Sequence, residues 1–454
     1  MRPEDVEVFK KNIDNIVDKA SEIFINNFGE PTCEEYTKVK KVIINFIKDK
    51  KRIVYGGYAQ NELIKKKNPD DDFYKDCRAD IEFYSPEPIK DLIELVDILN
   101  EMGIFSVKGD EGVHPETYKL FANFENYCDI SYMAKNIYDN LPTITVDGVK
   151  MCHPHFMLVD GFRVYADPMS SYFRLDKTFK RFSLLEKHYP IPEYNLKLQY
   201  FQKIPLKDNM EILDYIRHNI IMNSELVIIG HYAVDFLLRK IENEDMQIEN
   251  KYPYYQVISA NFEKDAQNIY NKLKKQYKEK LTVLEFAKFF MFLDNRLDFI
   301  VEGQVVLKLY GNNDRCIVNQ YSEKKKTYFG TFQLIILHLL IDYMYFIINK
   351  NKNEENNYLY LITIVNKAKD LYLDKNGKHI LDDTNFKHFT FSCFGKPVDP
   401  IRESRLRGLE RLKKGTSFKF SYNPKKGQKG KVPNFKFDNS SGNVQNKVSI
   451  IKIN

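Results

Sequence analysis

The 454 residues predict an α/β (α+β) chain: a mixed sheet with flanking helices, followed by a second mixed α/β domain. Three observations carry that prediction. Short β-prone runs alternate with helical-period segments through residues 50–185. A tight turn, Tyr55-Gly56-Gly57-Tyr58, joins one such run to a helix. Pro190, Pro192 and the irregular Tyr194-Asn195-Leu196 then interrupt the pattern before a second mixed stretch. The length calls for two or three domains and supplies a core that needs no staples.

Residues 4–28 place Val6, Phe9, Ile13, Ile16, Val17, Ala20 and Phe24 at helical spacing. A second helix runs from Cys33 to Lys48, with Val39, Val42, Ile43, Phe46 and Ile47 on one face and Thr32 as a cap before Glu34-Glu35. Both helices (residues 1–49) are expected to pack on the sheet that follows. Residues 50–189 form the first mixed domain. Arg52-Ile53-Val54-Tyr55 is β-prone, Gln60 to Lys65 is helical, and Ala79 to Tyr84 alternates as a strand. Pro88 to Met102 is an apolar-faced helix; Ile104–Val107, Tyr118–Phe124 and Tyr127–Met133 are short strands. A helix from about Ser171 sets Arg174, Lys177 and Arg181 on one face.

Residues 190–420 form the second domain, with helices expected at 208–222, 226–242, 262–280, 281–293 and 331–349 and strands near 298–309 and 315–319. No second Gly-Gly turn with a downstream Asp-x-Glu occurs there. Residues 421–454 carry Lys425, Lys426, Lys429 and Lys431 among Gly, Pro, Asn and Ser, and are expected to be a flexible basic tail.

The chemistry resides in the first domain. Glycines let backbone N–H groups approach a phosphate with no Cβ in the way. Asp80 and Glu82, at i and i+2 of a strand, point to one face. Neighbouring carboxylates repel unless a cation lies between them, and two divalent ions are the usual solution. Asp129, in the strand-like Cys128-Asp129-Ile130-Ser131, supplies the third acid. Three such groups can hold two metals about 3.5–4 Å apart for displacement at phosphorus. Taken alone, Gly56-Gly57 is equally an ordinary turn, and the Arg174/Lys177 face equally a solvated one. Asn61, one helical turn past Gly57, reaches a triphosphate or is a surface amide. Cys152, His153 and His155 are too close in sequence to close a tetrahedral site. The stretch between the turn and Asp80, with Asp70-Asp71-Asp72, is expected to loop out at the rim without catalytic duty.

The order Gly-Gly turn, helix, Asp-x-Glu strand, later Asp resembles the polymerase-β-like nucleotidyltransferases. The wording of Val54-Tyr55-Gly56-Gly57-Tyr58-Ala59-Gln60-Asn61, Ala79-Asp80-Ile81-Glu82-Phe83 and Cys128-Asp129-Ile130-Ser131 is similar to the poly(A) polymerase catalytic subunits of large DNA viruses, of the poxvirus, asfarvirus and mimivirus kind, and the AT-biased composition and length favour the mimivirus-like branch. That resemblance covers residues 50–185. It implies template-independent transfer of AMP from ATP to RNA 3′ ends with two Mg²⁺ or Mn²⁺ ions, a homodimer, and work in the host cytoplasm or viral factory. It also implies that Asp80, Glu82 and Asp129 ligate the metals and that Gly56, Gly57, Asn61, Arg174 and Lys177 serve the triphosphate; with no second glycine turn and acidic strand in residues 190–420, any nucleotidyltransferase likeness of the second domain would be a degenerate copy without metal ligands. Two features depart from the superfamily pattern: the long gap from Gly57 to Asp80, and Glu at the second acidic position. Single-stranded RNA is matched by Lys413, Lys414, Lys425 and Lys426, which neutralise phosphates independently of sequence. Two other readings share the parts: an oligoadenylate or cyclic-dinucleotide synthetase, and an inactive RNA-binding scaffold.

Composition sets outer bounds. A net charge of +6 permits nucleic-acid binding without requiring it. The six cysteines lack C-x-x-C spacing and no signal peptide opens the chain, so free thiols in a reducing compartment are expected and a structural zinc is not. Leu334 to Ile348 is apolar but short for a membrane span and carries His338 and Asp342, which predicts a buried helix and no membrane.

Overall fold

Two mixed sheets carry the chain, each with its own core. The computed structural model describes residues 1–74, 76–196, 207–241, 252–312, 315–433 and 436–448. One unit comprises Met1–Met133, Thr143–Pro154 and Pro400–Lys436; the other comprises Ala134–Pro142, His155–Asp399 and Phe437–Asn454.

In the first unit, helix α1 (Pro3–Asn27) is followed by α2 (Cys33–Asp49), whose Thr32 cap and Glu35 form a reciprocal capping box. Strand β1 (Ile53–Tyr55) leads directly into α3 (Gly56–Lys67). Then come β2 (Ile81–Ser85), α4 (Pro88–Glu101), β3 (Lys108–Glu111), β4 (Thr117–Ala122), β5 (Glu125–Tyr132), β6 (Thr143–Val146) and β7 (Val149–Cys152). The sheet order is β3-β4-β5-β2-β1-β7-β6; β2 runs parallel to β5, β1 runs parallel to β7, and the remaining neighbours are antiparallel. Val39, Ile43 and Ile47 of α2 and Leu92, Leu95, Val96 and Leu99 of α4 are buried, so these helices supply the core. Helix α1 departs from expectation. It buries no residue, and its apolar face stays in solvent with Phe9 47 %, Val17 56 % and Phe24 60 % exposed.

The second unit contains α5 (Lys135–Tyr138), α6 (Pro154–Ala166), α7 (Pro168–Ser171) and α8 (Leu175–His188), then α9 (Lys207–Ile216), β8 (Val227–Ile229), α10 (Gly230–Leu238), β9 (Tyr255–Ser259) and α11 (Phe262–Tyr277). After these come β10 (Leu281–Phe286), β11 (Arg296–Val301), β12 (Gln304–Gly311), β13 (Ile317–Ser322), β14 (Thr327–Gly330), α12 (Phe332–Ile348), α13 (Lys352–Asn376) and β15 (Cys393–Phe394). The helix expected at 281–293 is therefore the strand β10. Its Thr282 and Val283 are β-branched, and it pairs in register along β11. The long helix α13 was not anticipated.

Seven strands of this sheet, β10-β11-β12-β9-β8-β14-β13, repeat the first sheet strand for strand, with the same parallel and antiparallel neighbours. The repeat extends to side chains. In the first unit Ser85 Oγ donates to Asp91 at 2.5 Å and accepts from Glu87 N. In the second, Ser259 Oγ donates to Asp265 at 2.5 Å and accepts from Asn261 N. The second unit is thus the degenerate copy the sequence allowed for.

Residues 400–436 belong to the first unit. Helix α14 (Pro400–Lys413) sends Arg411 into an ion pair with Glu111, and strand β16 (Ser421–Tyr422) pairs antiparallel with β3. Tyr422 Oη donates to Asp97 at 2.6 Å, and Gly430 N donates to the same carboxylate at 2.9 Å. A final strand, β17 (Val444–Val448), pairs with β10. The described part of the segment from 421 is therefore not a free tail: Ser421, Tyr422 and Gly430 find their acceptors some 300 residues earlier, where local composition cannot reveal them, and residues 434–435 and 449–454 lie outside the described residues. The cysteines also depart from expectation. Cys33 bonds Cys77 and Cys316 bonds Cys393, while Cys128 and Cys152 are buried outside any disulfide. Sequence spacing says nothing about such through-space pairs. Among the described residues, no helix is long and apolar enough to cross a membrane. In α12, Asp342 accepts from Gln256 at 3.0 Å and the His338 ring meets Tyr310 edge-on.

Candidate active site

Buried Ile53 and Val54 anchor β1, which delivers an extended Tyr55 to the first residue of α3. Gly56 turns there at φ +69°, and a Cβ on it would lie 1.7 Å from Glu82 Oε2. Only glycine satisfies both the backbone and the contact. Gly57 is helical, and its N–H donates to Glu82 Oε2 at 2.8 Å. The helix N-terminus and the acidic strand are thereby locked together.

The register sets four residues side by side across four strands: Tyr55 opposite Glu82, Glu82 opposite Asp129, and Asp129 opposite Lys119. Directly opposed residues share a face. Asp80 lies two residues before Glu82 on the same side, just ahead of β2. The buried Cys128 thiol is pushed well up, first by burial and then by the charges of Asp129, Asp80 and Glu82. Asp129 accepts from Lys119 Nζ at 2.7 Å on each oxygen and from Asn126 Nδ2 at 2.9 Å. Tyr55 Oη shares a hydrogen bond of 2.7 Å with Ser131, and its ring stacks on Tyr84 at 3.9 Å.

Hard oxygen donors on adjacent strands suit Mg²⁺ or Mn²⁺. Among the described residues, no three His, Cys, Asp or Glu side chains are already gathered as a ligand set. The reason is local: Glu82 caps Gly57 and Asp129 holds Lys119. The pairing register places Glu82 and Asp129 directly opposite each other on one face of adjacent strands.

The other expected residues belong to other elements. Asn61 is buried; its amide donates to Asp72 at 2.9 Å and its oxygen accepts from Phe73 N at 3.0 Å. These bonds pin the long connection to Asp80. That connection is further held by the Cys33–Cys77 bridge and by Arg78 donating to the Pro31 carbonyl at 3.0 Å. Arg174 and Lys177 are exposed in the second unit, Arg174 lying over the Phe173 ring. Lys413, Lys414, Lys425 and Lys426 are exposed in the first unit. His155 Nε2 lies 3.2 Å from the Pro190 carbonyl oxygen, a structural contact. Sequence reasoning missed Lys119, since nothing in Tyr118-Lys119-Leu120 reveals which acid faces it until the register is known.

The second unit shows the same place without its acids. Gly230 turns at φ +65°, and its Cβ would lie 2.0 Å from Gln256 Oε1. Ile229 stands opposite Gln256, Gln256 opposite Lys308, and Lys308 opposite Asp298. Gln256 thus replaces Glu82, Lys308 replaces Asp129, and Tyr254, two residues before Gln256, replaces Asp80. Lys308 Nζ donates to Tyr254 Oη at 3.0 Å.

The chain is similar along most of its length to known proteins. The model of the family "Poly(A) polymerase catalytic subunit" matches residues 41–171, and "APMV, Putative poly(A) polymerase, catalytic subunit, C-terminal" matches residues 183–453. A mimivirus protein (Acanthamoeba polyphaga mimivirus) named "Putative poly(A) polymerase catalytic subunit" is 32 % identical over 452 residues, covering 92 % of this chain and 77 % of its own. One of the same name from African swine fever virus (isolate Tick/Malawi/Lil 20-1/1983) is 31 % identical over 188 residues, 39 % of each chain. The crystal structure of the Megavirus polyadenylate synthase superposes with a TM-score of 0.90 at 31 % identity, covering 99 % of this chain and 93 % of that one. A nucleotidyltransferase sheet that keeps its acidic row in one copy and has lost it in the other, together with these relatives, places the chain in the poly(A) polymerase catalytic subunit family, as an enzyme that adds poly(A).

Proposed function

We propose that the first unit transfers AMP from ATP to the 3′ end of single-stranded RNA, with Asp80, Glu82 and Asp129 holding two Mg²⁺ or Mn²⁺ ions. The observation that carries this reading is the acidic row beside the Gly56 turn, set against its neutralised counterpart beside Gly230. Bound there, divalent ions would neutralise the triphosphate and stabilise the departing pyrophosphate. The N-terminus of α3, bare of side chain at Gly56, offers backbone N–H groups to phosphate oxygens. In the transfer, the RNA 3′ oxygen bonds the α-phosphorus as the α–β bridge breaks and pyrophosphate leaves.

Two surfaces support an RNA substrate. Lys413, Lys414, Lys425 and Lys426 stand in solvent on the first unit. On the second unit, Tyr172 (73 % exposed) and Phe173 (59 %) adjoin Arg174 and Lys177, a pairing of stacking rings and cations suited to a single strand. A homodimer is supported by α1. Val6, Phe9, Ile13, Ile16, Ala20 and Ile23 follow alternating steps of three and four residues, the seam of a paired helix, and a second copy supplies the matching seam.

The test is extension of labelled single-stranded RNA with each NTP and Mg²⁺, alongside Asp80→Ala with Glu82→Ala. The reading expects ATP-specific tails that the double variant cannot make. Equal use of four NTPs would remove the ATP assignment, and an unimpaired double variant would remove the metal site.

A further inference from the structure

We propose that Lys119 is a resident counter-cation of the active site: it competes with divalent ions for Asp129 and so sets how tightly the acidic row binds metal. This rests on the reading of Asp80, Glu82 and Asp129 as metal ligands, and it assigns a role to a residue outside that set.

The first observation is geometric. The Lys119 ammonium lies 2.7 Å from both Asp129 oxygens, and Asn126 takes a further lone pair of Oδ1. Lys119 holds both oxygens that a metal would use, so an ion binding Asp129 must displace it or share the carboxylate with it. The pair is only partly open to water, at 31 % and 18 % side-chain exposure, where a charge-assisted contact is stronger than at a free surface. The register also fixes Lys119 at this spot, on the strand next to β5 and on the side away from Glu82. It can therefore withdraw along its own stem without disturbing β2.

The second observation is the internal copy. There the metal ligands are gone, yet the same rung of the sheet still pairs one cation with one anion, in reversed order: Asp298 on β11 opposite Lys308 on β12. Lys308 reaches Tyr254, the counterpart of Asp80. Asp298 in turn pairs with Arg296 at 2.7 Å. A lysine ammonium can therefore sit among these positions as a fixed charge: the second row, Gln256, Lys308 and Asp298, balances to zero, whereas Lys119 offsets only one of the two carboxylates, Glu82 and Asp129, of the first. In the first unit the cation occupies the outer strand, where it can give way; in the second it occupies the ligand strand itself.

The experiment is Mn²⁺ binding to the full-length chain, read by electron paramagnetic resonance of free Mn²⁺ and by melting temperature, with no nucleotide or RNA present. The proteins are the wild type, Lys119→Met, Lys119→Arg, and Asp80→Asn/Glu82→Gln/Asp129→Asn. Lys119→Met is expected to bind Mn²⁺ about tenfold more tightly, the equivalent of one displaced charge-assisted contact. It should also melt lower than wild type without Mn²⁺ and recover more with it. Lys119→Arg, which keeps the charge, should stay within about threefold of wild type. Unchanged or weaker binding by Lys119→Met, with normal binding by wild type, would overturn the counter-cation role and leave the metal site standing. So would a Lys119→Met chain that fails to fold even with Mn²⁺. No binding by wild type, or wild-type binding by the triple variant, would remove the metal-site reading and this inference together.

Discussion

Replacing Gly56 with alanine perturbs the point where the helix N-terminus meets the acidic strand. A non-glycine residue at φ +69° costs about 1–2 kcal/mol. The new Cβ would lie 1.7 Å from Glu82 Oε2 and 2.3 Å from Cδ, so the carboxylate must turn away. Gly57 N–H then loses an ionic hydrogen bond worth about 1.5–3 kcal/mol. The expected loss is about 3–5 kcal/mol in the first unit, together with an activity drop of at least about a hundredfold, since displacements of about 1 Å cost that much. Gly230→Ala is the matched control. It meets the same backbone strain at φ +65° and a similar clash, 2.0 Å from Gln256 Oε1. It should destabilise its own unit and leave AMP incorporation per folded molecule within about twofold of wild type. Urea unfolding gives the first quantity, and single-turnover incorporation at saturating ATP gives the second. A fully active Gly56→Ala, or an inactive but folded Gly230→Ala, would refute the assignment of the two turns.

Other predictions concern stability and assembly. Burial lowers His231 to about 4, His338 to about 3 and His388 to about 4, against an ordinary 6.5. All three are neutral in the fold and take protons on unfolding, so stability is present above about pH 6.5 and lost as pH falls toward 4. Urea midpoints from pH 7.5 to 5 should fall, with proton uptake on unfolding approaching three; a flat profile would contradict this burial. Arg411→Met leaves Glu111, only 8 % exposed, without its guanidinium, and should open residues 414–431 to limited proteolysis while β1–β7 stay protected. Burial alone would raise Glu111, but Arg411 and the Phe420 N–H outweigh it and hold it low, so the wild-type attachment should fail only below the ordinary carboxylate range. Ile16→Asp with Ile23→Asp should turn a dimer into a monomer by light scattering without changing the melting of the sheets, because α1 buries nothing within its own chain.

Much of the first unit was legible because its signals are local. A glycine turn, an Asp-x-Glu strand and the Thr32 cap each declare themselves within a few residues. The second unit was harder for a specific reason. The turn needs positive φ at one position, Gly56, while Gly57 is helical; a search for paired glycines therefore passes over Ile229-Gly230-His231. Gln256 and Lys308 are likewise silent, since they reveal a former acidic row only once β9 and β12 are in register. The partners of Asn61, Asp72 and Phe73, were not legible because they belong to a connection whose path no periodicity records. The two disulfides and the attachment of Arg411 to Glu111 are through-space pairings of the same kind.

Glu82→Gln tests the central claim most directly, because it installs in the first row the side chain that the second row carries at Gln256. The amide can still accept from Gly57 N–H, so the fold should melt close to wild type, whereas the loss of one metal-binding charge should cut ATP-dependent extension of RNA by about a thousandfold. A folded Glu82→Gln protein that extends RNA at the wild-type rate would contradict the account.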